Sequence, residues 1–377
     1  MKKTMIFVLL CGIFLTLFFL KNDPRIADAY VRYVSTNYAR IVGVLFSWIP
    51  FSFYELFLFS LFLLLLLFLW RIAKSLFTKK WNQSLRFFID LLLIAFFCLD
   101  WYFAVASMSY WRSPVPVPAY EKEVSREFID ASVAYYLDDY NRIASGLTYG
   151  ESGFARSPYS FEELNEKIEE SYAKLDDSYF NPHTGRVKKL LFSPLFSEMQ
   201  ITGVTFAPLG EIAVNTDCPP SELPHVMAHE IAHSKGVYRE DDANLVALYV
   251  LLSSDDDYLR YAGYYAGFSS LLSIYALTDY QYYESTYLSL NEAIRKEYGA
   301  GNDFWRKHDI LAKFSDFIND FYLRINGSDK GTDDYIDSSE HVDSGETDSS
   351  GRPIYVIEEY SPYQKLFFAL YDEQTGG

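Results

Sequence analysis

The chain begins with three long apolar runs separated by short polar segments, and after residue 112 the pattern changes to shorter amphipathic stretches. The runs cover residues 5–20, 51–70 and 87–111. A helix needs about 20 mostly apolar residues to cross the hydrocarbon core of a bilayer. We therefore predict three membrane-spanning helices within a membrane region at residues 1–112. The first run is the shortest, so a cleaved signal peptide is the alternative to an anchor there.

The basic residues between the second and third runs predict the orientation of these helices. Five such residues stand close together: Arg71, Lys74, Lys79, Lys80 and Arg86. Cytoplasmic loops of membrane proteins are enriched in Lys and Arg. We therefore expect a multi-pass protein of the cell membrane with its C-terminal region, residues 113–377, outside the cytoplasm. Residues 113–377 are called the outer region after this expectation. The third run also contains Asp100, for which we favour contact with neighbouring helices over a proton relay.

The charge of the chain is divided unevenly between these two regions. Residues 1–112 carry a net charge of +7, whereas residues 113–377 carry −24. An acidic outer region repels phosphate backbones, which argues against a nucleic-acid partner. Of the three cysteines, only Cys218 lies outside the apolar runs. The outer region therefore forms no disulfide of its own and depends on its core, with help from a metal ion as a further source of stability.

Shorter patterns predict a mostly helical outer region with a small sheet. The stretch ITGVTFAPLGEIAVNTD, residues 201–217, alternates apolar with small or polar residues around APLG and predicts a pair of short strands. Helices are predicted at about 120–145, from the capping-box pattern that begins at Ser160, and from Glu240 onward. The segment 327–351 contains eight acidic residues and almost no large apolar ones. We therefore predict a mobile acidic loop there.

The stretch MAHEIAH contains the residues with the clearest chemistry. His229, Glu230 and His233 form the pattern H-E-x-x-H. Residues four apart lie on the same face of a helix, so two imidazole nitrogens can reach one ion. Glu230 follows the first histidine and lies near the open coordination position, where it can take a proton from water. We therefore predict a Zn²⁺ ion bound by His229 and His233, with Glu230 as the catalytic base.

A third protein ligand is expected just after this motif, where a glycine ends the first helix and EDDAN begins a second one. Glu240 is the preferred ligand, and Asp241 and Asp242 are its rivals. Asn244 shares a face with Glu240 and is expected to form a hydrogen bond to one of the ligands. His225 is expected to flank the site, since three ligands spaced one turn apart on one straight helix cannot surround one ion.

The combination of HEIAH, a short turn and EDDAN resembles the zincin metallopeptidases of the gluzincin type, in which a glutamate from an E-x-x-x-D helix completes the metal site. Nearly the whole chain resembles a bacterial family of uncharacterised membrane proteins with three N-terminal spans and a zincin-like outer domain. That resemblance is carried by IPFSFYEL, SYWRSP, ITGVTFAPLGEIAVN and REDDANLVAL. It implies a three-span α-helical membrane anchor and an α+β zincin-like metallopeptidase domain, mostly helical with a small sheet. One departure from the gluzincin pattern is Asn244, which stands where aspartate is expected.

These observations together predict a membrane-anchored zinc metallopeptidase that hydrolyses peptide bonds outside the cytoplasm. Its expected partners are the lipid bilayer and a peptide or protein substrate. The alternative is a catalytically silent membrane protein with a structural or sensing metal site. Glu230 favours the enzyme, because a structural metal site has no need of that carboxylate. A tyrosine often stabilises the oxyanion in such enzymes, and the candidates are Tyr261, Tyr264, Tyr265 and Tyr335.

Overall fold

The computed structural model describes residues 2–78, 81–175, 178–181 and 186–376. Lys79 and Lys80, two of the basic residues that predict the orientation, lie outside these described residues. The helices are α1 (Lys2–Leu20), α2 (Pro24–Tyr30), α3 (Thr36–Ser47), α4 (Phe53–Thr78), α5 (Trp81–Val105), α6 (Arg126–Gly146), α7 (Phe161–Tyr172), α8 (Ser193–Glu198), α9 (Leu223–Ser234), α10 (Glu240–Leu252), α11 (Asp257–Thr278), α12 (Tyr280–Ser289), α13 (Glu292–Lys307), α14 (Ala312–Ile325) and α15 (Pro362–Thr375). The strands are β1 (Val187–Lys189), β2 (Gly203–Phe206), β3 (Glu211–Val214), β4 (Glu340–Thr347) and β5 (Pro353–Glu359).

Helices α1, α4 and α5 are long and apolar enough to cross a membrane, over Lys3–Leu20, Phe53–Ser75 and Trp81–Val105. Helix α5 contacts both α1 and α4. The third span differs from its predicted range of 87–111, because the helix begins earlier and the chain continues as a 3-10 helix over Ser107–Trp111. Its buried side chains include Tyr110, which packs on Tyr238 of the outer region, and Met108, which packs on Ala27 and Val31. Met108 and Tyr110 therefore extend the apolar run although protein, and not lipid, buries them.

Two acidic side chains of α5 have different surroundings. Asp90 forms an ion pair with Lys3 of α1. Asp100, in the last turns of α5, is only 4% exposed. Its carboxylate oxygens have no hydrogen-bond partner among the described residues. Asp100 therefore faces neighbouring protein segments, which is the placement that the sequence favoured.

A three-stranded sheet lies beside helix α9 in the outer region. Strands β2 and β3 pair antiparallel, as the pattern around APLG predicted. Strand β1 pairs parallel with β3 and was not predicted. The order β1-β3-β2 leaves β2 at one edge of the sheet. Both β2 and β3 contact α9, so the sheet supports the helix that carries the histidines.

Helix α10 lies at the centre of the outer region and contacts both α9 and α11. One hydrophobic core includes Ala243 and Val246 and joins α10 to α9 and the sheet. A second core includes Leu248 and Leu252 and joins α10 to α6, α11 and α15. Full burial of a Val or Leu side chain stabilises a fold by about 1.5–3 kcal/mol. Because α10 is apolar on opposite faces, it holds the two cores together.

The acidic segment 327–351 has more regular structure than its composition predicted. It contains a 3-10 helix over Gly331–Tyr335 and strand β4, which pairs antiparallel with β5. All side chains of β4 are exposed. The pairing was missed because its partner, the PIYVIEE strand β5, lies outside the acidic segment.

Buried polar contacts join the sheet to the first turn of α4. Glu211, at the start of β3, accepts hydrogen bonds from Ser52 Oγ at 2.6 Å and from the backbone N–H groups of Phe53 at 2.8 Å and Tyr54 at 3.1 Å. Lys188 Nζ of β1 lies 2.9 Å from the same carboxylate, and both side chains of this pair are buried. Glu211 thus satisfies the free N–H groups at the N-terminus of α4 while it neutralises a buried lysine.

Further contacts tie the two regions together in other places. Glu55, in the first turn of α4, accepts hydrogen bonds from the backbone N–H groups of Leu191 at 3.0 Å and Phe192 at 2.8 Å. Arg112, which follows the third span, lies 3.2 Å from Asp28 of α2 and is itself buried. The predicted boundary at residue 112 therefore divides the sequence, but residues on its two sides share buried contacts.

Replacing Glu211 by alanine should strongly destabilise the protein. Lys188 would stay buried without its counter-charge, and the start of α4 would lose its acceptor. Removal of one partner from a buried ion pair costs about 3–5 kcal/mol. Thermal unfolding of the full chain in detergent micelles measures this change. Glu292→Ala removes an exposed ion pair with Lys296 and should leave the melting temperature unchanged. Equal melting temperatures for the two variants would contradict the role of Glu211.

Candidate metal centre

The turn between α9 and α10 brings two parts of the sequence motif face to face. Helix α9 ends at Ser234, and Gly236 adopts a φ of +94°, a conformation that glycine reaches without steric cost. A Cβ atom at this position would lie 3.0 Å from Arg112 Nη1 and 3.1 Å from Val31. Glu240 then begins α10, as predicted. The reversed chain places the first turn of α10 against the last turns of α9.

Three side chains that can bind a metal ion converge at this turn. Potential ligand atoms of His229, His233 and Glu240 all lie within 4.8 Å of one another. Glu240 Oε2 is 3.1 Å from His229 Nε2 and 3.4 Å from His233 Nε2. The two imidazole rings are nearly perpendicular, with an interplanar angle of 84°. Two imidazole nitrogens and one carboxylate oxygen are the protein ligands of one class of catalytic zinc sites. The residues present therefore fit a metal ion, and they are the three ligands that the sequence predicted.

Hydrogen bonds on the far side of each ring determine which nitrogen faces the cluster. His229 Nδ1 lies 2.8 Å from Asn244 Oδ1, and His233 Nδ1 lies 2.7 Å from the backbone oxygen of Val237. Both oxygens are acceptors, so each Nδ1 carries a proton and donates it. The Nε2 atoms are thereby turned toward Glu240. Asn244 occupies the supporting position that the sequence indicated.

Electrostatic coupling within the cluster favours a bound cation. Burial by itself lowers the pKa of His233, but the adjacent charge of Glu240 outweighs burial and raises it. Burial by itself raises the pKa of Glu240, but His233 and His229 hold it well below its usual value. The carboxylate therefore stays ionised and attracts positive charge to the Nε2 side of both rings. An ion bound there would displace a proton from His233.

The remaining acidic and basic candidates near the motif lie outside the cluster. Asp242 accepts a hydrogen bond of 2.6 Å from Arg239 Nε. Asp241 is exposed to solvent. His225 lies one turn before the motif, and burial lowers its pKa to about 3. These positions leave Glu240 as the acidic ligand among the candidates considered from the sequence.

Glu230 lies beside the three candidate ligands but is not one of them. Its side chain is buried, and its Oε2 atom accepts a hydrogen bond of 2.7 Å from Thr205 Oγ1 of strand β2. Burial raises the pKa of Glu230, and the nearby His233 and His229 offset part of that increase. A carboxylate with a raised pKa is a better proton acceptor near neutral pH than an exposed one.

Strand β2 makes room for this carboxylate and presents its main chain to the site. A Cβ atom on Gly203 would lie 2.5 Å from Glu230 Oε1, so any side chain there would displace the glutamate. The backbone N–H of Asn215 donates to Thr202 O at 2.8 Å. Opposed residues in an antiparallel pair alternate between bonded and non-bonded positions. Thr202 is thus in a bonded pair, and Gly203 and Thr205 are in non-bonded positions. Their main-chain groups therefore point away from β3, to the free edge of β2, which pairs with no other described strand.

Of the four tyrosines proposed from the sequence, Tyr335 lies near the cluster. Tyr335 is 41% exposed, but desolvation of its hydroxyl raises its pKa well above the usual value, and the charges of Glu240 and Glu230 contribute. Asn319 Nδ2 donates to the Tyr335 hydroxyl at 3.2 Å. Tyr261 and Tyr264 pack in the second core, where Tyr261 donates to Glu297 and Tyr264 donates to Asp139, and Tyr265 stacks on Tyr298.

Further aromatic side chains around the centre were not found by sequence reasoning. The ring of Tyr238 packs on His233 at 5.5 Å and on Tyr110 at 5.9 Å, measured between ring centroids. Tyr322 of α14 accepts hydrogen bonds from the hydroxyls of Tyr102 at 2.8 Å and Tyr110 at 3.0 Å. Tyr322 and Tyr102 are 220 positions apart in the chain, so no local pattern could have paired them.

Comparison with known proteins identifies a family without an assigned activity. Residues 30–340 match the model of a family described as a protein of unknown function (DUF3810). No curated protein and no solved structure matches the chain. The three apolar helices and the mostly helical outer region with its small sheet agree with the sequence analysis. The zincin-like fold has no matching structure to support it and stays a prediction.

Changing Asn244 should weaken metal binding through His229. Loss of a hydrogen-bond partner behind a metal-bound histidine typically lowers affinity by roughly 10–100-fold. We expect this loss for Asn244→Leu, whereas Asn244→Asp keeps an acceptor and should bind zinc almost as tightly as the wild type. Competition with a chelating dye on the full chain measures the affinity. Asp241→Ala is the control, and a loss of affinity in that variant would contradict the ligand assignment.

Proposed function

The chain belongs to the DUF3810 family of proteins of unknown function, and for this member we propose a zinc-dependent metallopeptidase anchored in the membrane. The observation that carries the proposal is the position of Glu230. Its carboxylate is buried beside the three candidate metal ligands but is not one of them. A structural metal site needs only its ligands. A further carboxylate, held in place by Thr205, has a use where a proton must be accepted during a reaction.

The proposed reaction is the hydrolysis of a peptide bond. His229, His233 and Glu240 would hold the ion and leave a coordination position open. A bound zinc ion would supply Lewis-acid activation of water and of the peptide carbonyl. Glu230 would accept a proton from the water while the oxygen of that water attacks the carbonyl carbon. It would then donate that proton to the amide nitrogen as the C–N bond breaks, so that the carboxylate ends in its initial state.

The free edge of β2 supports a peptide as the substrate. An extended peptide can add to such an edge through main-chain hydrogen bonds. The outward main-chain groups of Gly203 and Thr205 lie on the strand whose Thr205 side chain holds Glu230. A peptide on this edge would pass close to the general base. Tyr335, which is electrostatically coupled to both Glu230 and Glu240, is the proposed donor to the developing oxyanion.

The proposed location is the cell membrane, with the outer region outside the cytoplasm. Three helices that could cross a membrane support the membrane location. The basic residues Arg71, Lys74 and Arg86 lie at the other ends of α4 and α5 from the metal centre and support the orientation. Access of an added protease to the outer region in intact cells would test this sidedness.

Glu230→Gln should abolish most of the activity and leave zinc bound. Glutamine has nearly the same size and can accept a hydrogen bond, but it cannot take a proton. Loss of a general base typically lowers the rate by ~10²–10⁴-fold. Turnover of a peptide library and zinc content are measured on the full chain. His233→Ala is the comparison, since it should lose the metal itself. The enzyme proposal would be overturned if Glu230→Gln cut peptides at the wild-type rate.

Gly203→Ala should lower activity by displacing the side chain of Glu230. The added Cβ atom would meet Glu230 Oε1 at 2.5 Å, and the carboxylate would have to move. A misplaced catalytic group can cost on the order of 100-fold in rate. Zinc content should be unchanged because Glu230 is not a ligand. Gly299→Ala, whose Cβ atom would have no neighbour within 4 Å, is the matched control and should retain full activity. Equal rates for the two variants would contradict the assigned position of Glu230.

A further inference from the structure

Helix α14 exposes a continuous apolar face. At about 100° per residue, its exposed apolar side chains occupy an arc of roughly 100° along the whole helix. Each of them keeps between 48% and 73% of its surface exposed: Phe314, Phe317, Ile318, Phe321 and Ile325. Contiguous apolar patches of this kind are rare on protein surfaces that face water alone.

The opposite sector of α14 is attached to the end of the third span. Tyr322 accepts a hydrogen bond from Tyr102 near the end of α5. Asn326, which follows α14, accepts a hydrogen bond of 3.1 Å from Ser107 Oγ through its Oδ1 atom. Leu323 packs into the same contact with Tyr102. These contacts fix α14 at the level where the span ends.

The third sector of α14 is charged. It contains Lys313, Asp316, Asp320 and Arg324, and Arg324 Nε pairs with Asp320 at 2.8 Å. The helix therefore has one side toward protein, one charged side and one apolar side. Helices that lie in a membrane interface combine an apolar face in the lipid with a charged face in the water.

A second exposed apolar patch lies at the start of α4. Leu191 and Phe192, whose backbone N–H groups are held by Glu55, are 68% and 61% exposed. Glu198, at the end of the following helix α8, accepts a backbone hydrogen bond of 2.9 Å from Leu311 just before α14. The patch around Leu191 is thus linked to α14, and both adjoin the ends of membrane-spanning helices.

We propose that the apolar face of α14, together with Leu191 and Phe192, rests in the lipid bilayer on the side of the outer region. The lipid is the occupant because this face adjoins the ends of α4 and α5, whose own apolar side chains are exposed along the spans. The metal centre is then held at the membrane surface, since Tyr322 and Asn319 of α14 contact the tyrosines around it. If the proposed function holds, on which this step rests, the substrate is a polypeptide segment next to a membrane span or lipid anchor.

Spin labels on α14 test the contact with lipid without any reference to activity. In a full chain with Cys11→Ala, Cys98→Ala and Cys218→Ala, labels are placed at Phe317→Cys and Phe321→Cys. Matched labels at Lys313→Cys and Asp316→Cys lie on the charged sector of the same helix. After reconstitution in phosphatidylcholine vesicles, collisions with oxygen, which dissolves in lipid, are compared with collisions with a water-soluble nickel chelate.

Labels at 317 and 321 should collide mainly with oxygen, whereas labels at 313 and 316 should collide mainly with the nickel chelate. High nickel access at all four positions would overturn the proposal, since the apolar face would then lie in water. Protection of positions 317 and 321 from both reagents would also overturn it, because a protein surface would then cover the face.

The distance of the metal centre from the membrane tests the substrate class. A mixed peptide library is presented on the same vesicles either directly next to a palmitoyl anchor or behind a flexible linker of about 30 residues, which can extend far beyond the membrane surface. Cleavage of the directly anchored library, lost in Glu230→Gln, is the expected result. Cleavage only behind the long linker would overturn the surface placement. No cleavage of anchored or free peptides would overturn the proposed function, while the spin labels still decide the lipid contact.

Discussion

The reversal of the chain between α9 and α10 determines how the two histidines meet Glu240 and Asn244 in the candidate metal centre. The histidines are fixed on α9, whereas Glu240 and Asn244 are fixed on α10, and the short turn at Gly236 together with a shared hydrophobic core relates the two helices. The turn is held from outside by Arg112, whose Nη1 donates to the Gly236 carbonyl at 3.1 Å. The geometry of the candidate ligands therefore depends on a residue at the end of the 3-10 helix that follows the third span.

The convergence of His229, His233 and Glu240 and the supporting position of Asn244 could be predicted because they depend on local spacing. HEIAH and EDDAN lie in one short stretch, and helical spacing alone places two imidazoles on one face. Asn244 could be assigned to a supporting role by the same spacing. The strand pair around APLG and the capping box at Ser160 were also predictable, because turn and cap residues have fixed offsets. Each of these features is encoded within one or two adjacent elements.

The features that escaped prediction depend on contacts between distant segments. Strand β1 has three residues, too few for an alternating pattern, and is defined by its pairing with β3. The end of the third span could not be located because Met108 and Tyr110 continue the apolar pattern while they are buried against protein. Tyr322 lies near the candidate metal centre because α14 contacts the end of α5. Hydropathy reports that a residue avoids water, but it does not distinguish lipid from a protein core.

The buried contact between Glu211 and α4 has a consequence for the biosynthesis of the protein. The backbone N–H of Tyr54 donates to Glu211, which is synthesised 157 residues later. At ordinary rates of translation this interval is about 8–30 seconds. The membrane helices are therefore made well before the sheet that completes the first turn of α4, and the histidines follow later still. Because the sheet also positions Glu230, the first turn of α4 and the site both depend on segments that are synthesised long after the first apolar helices.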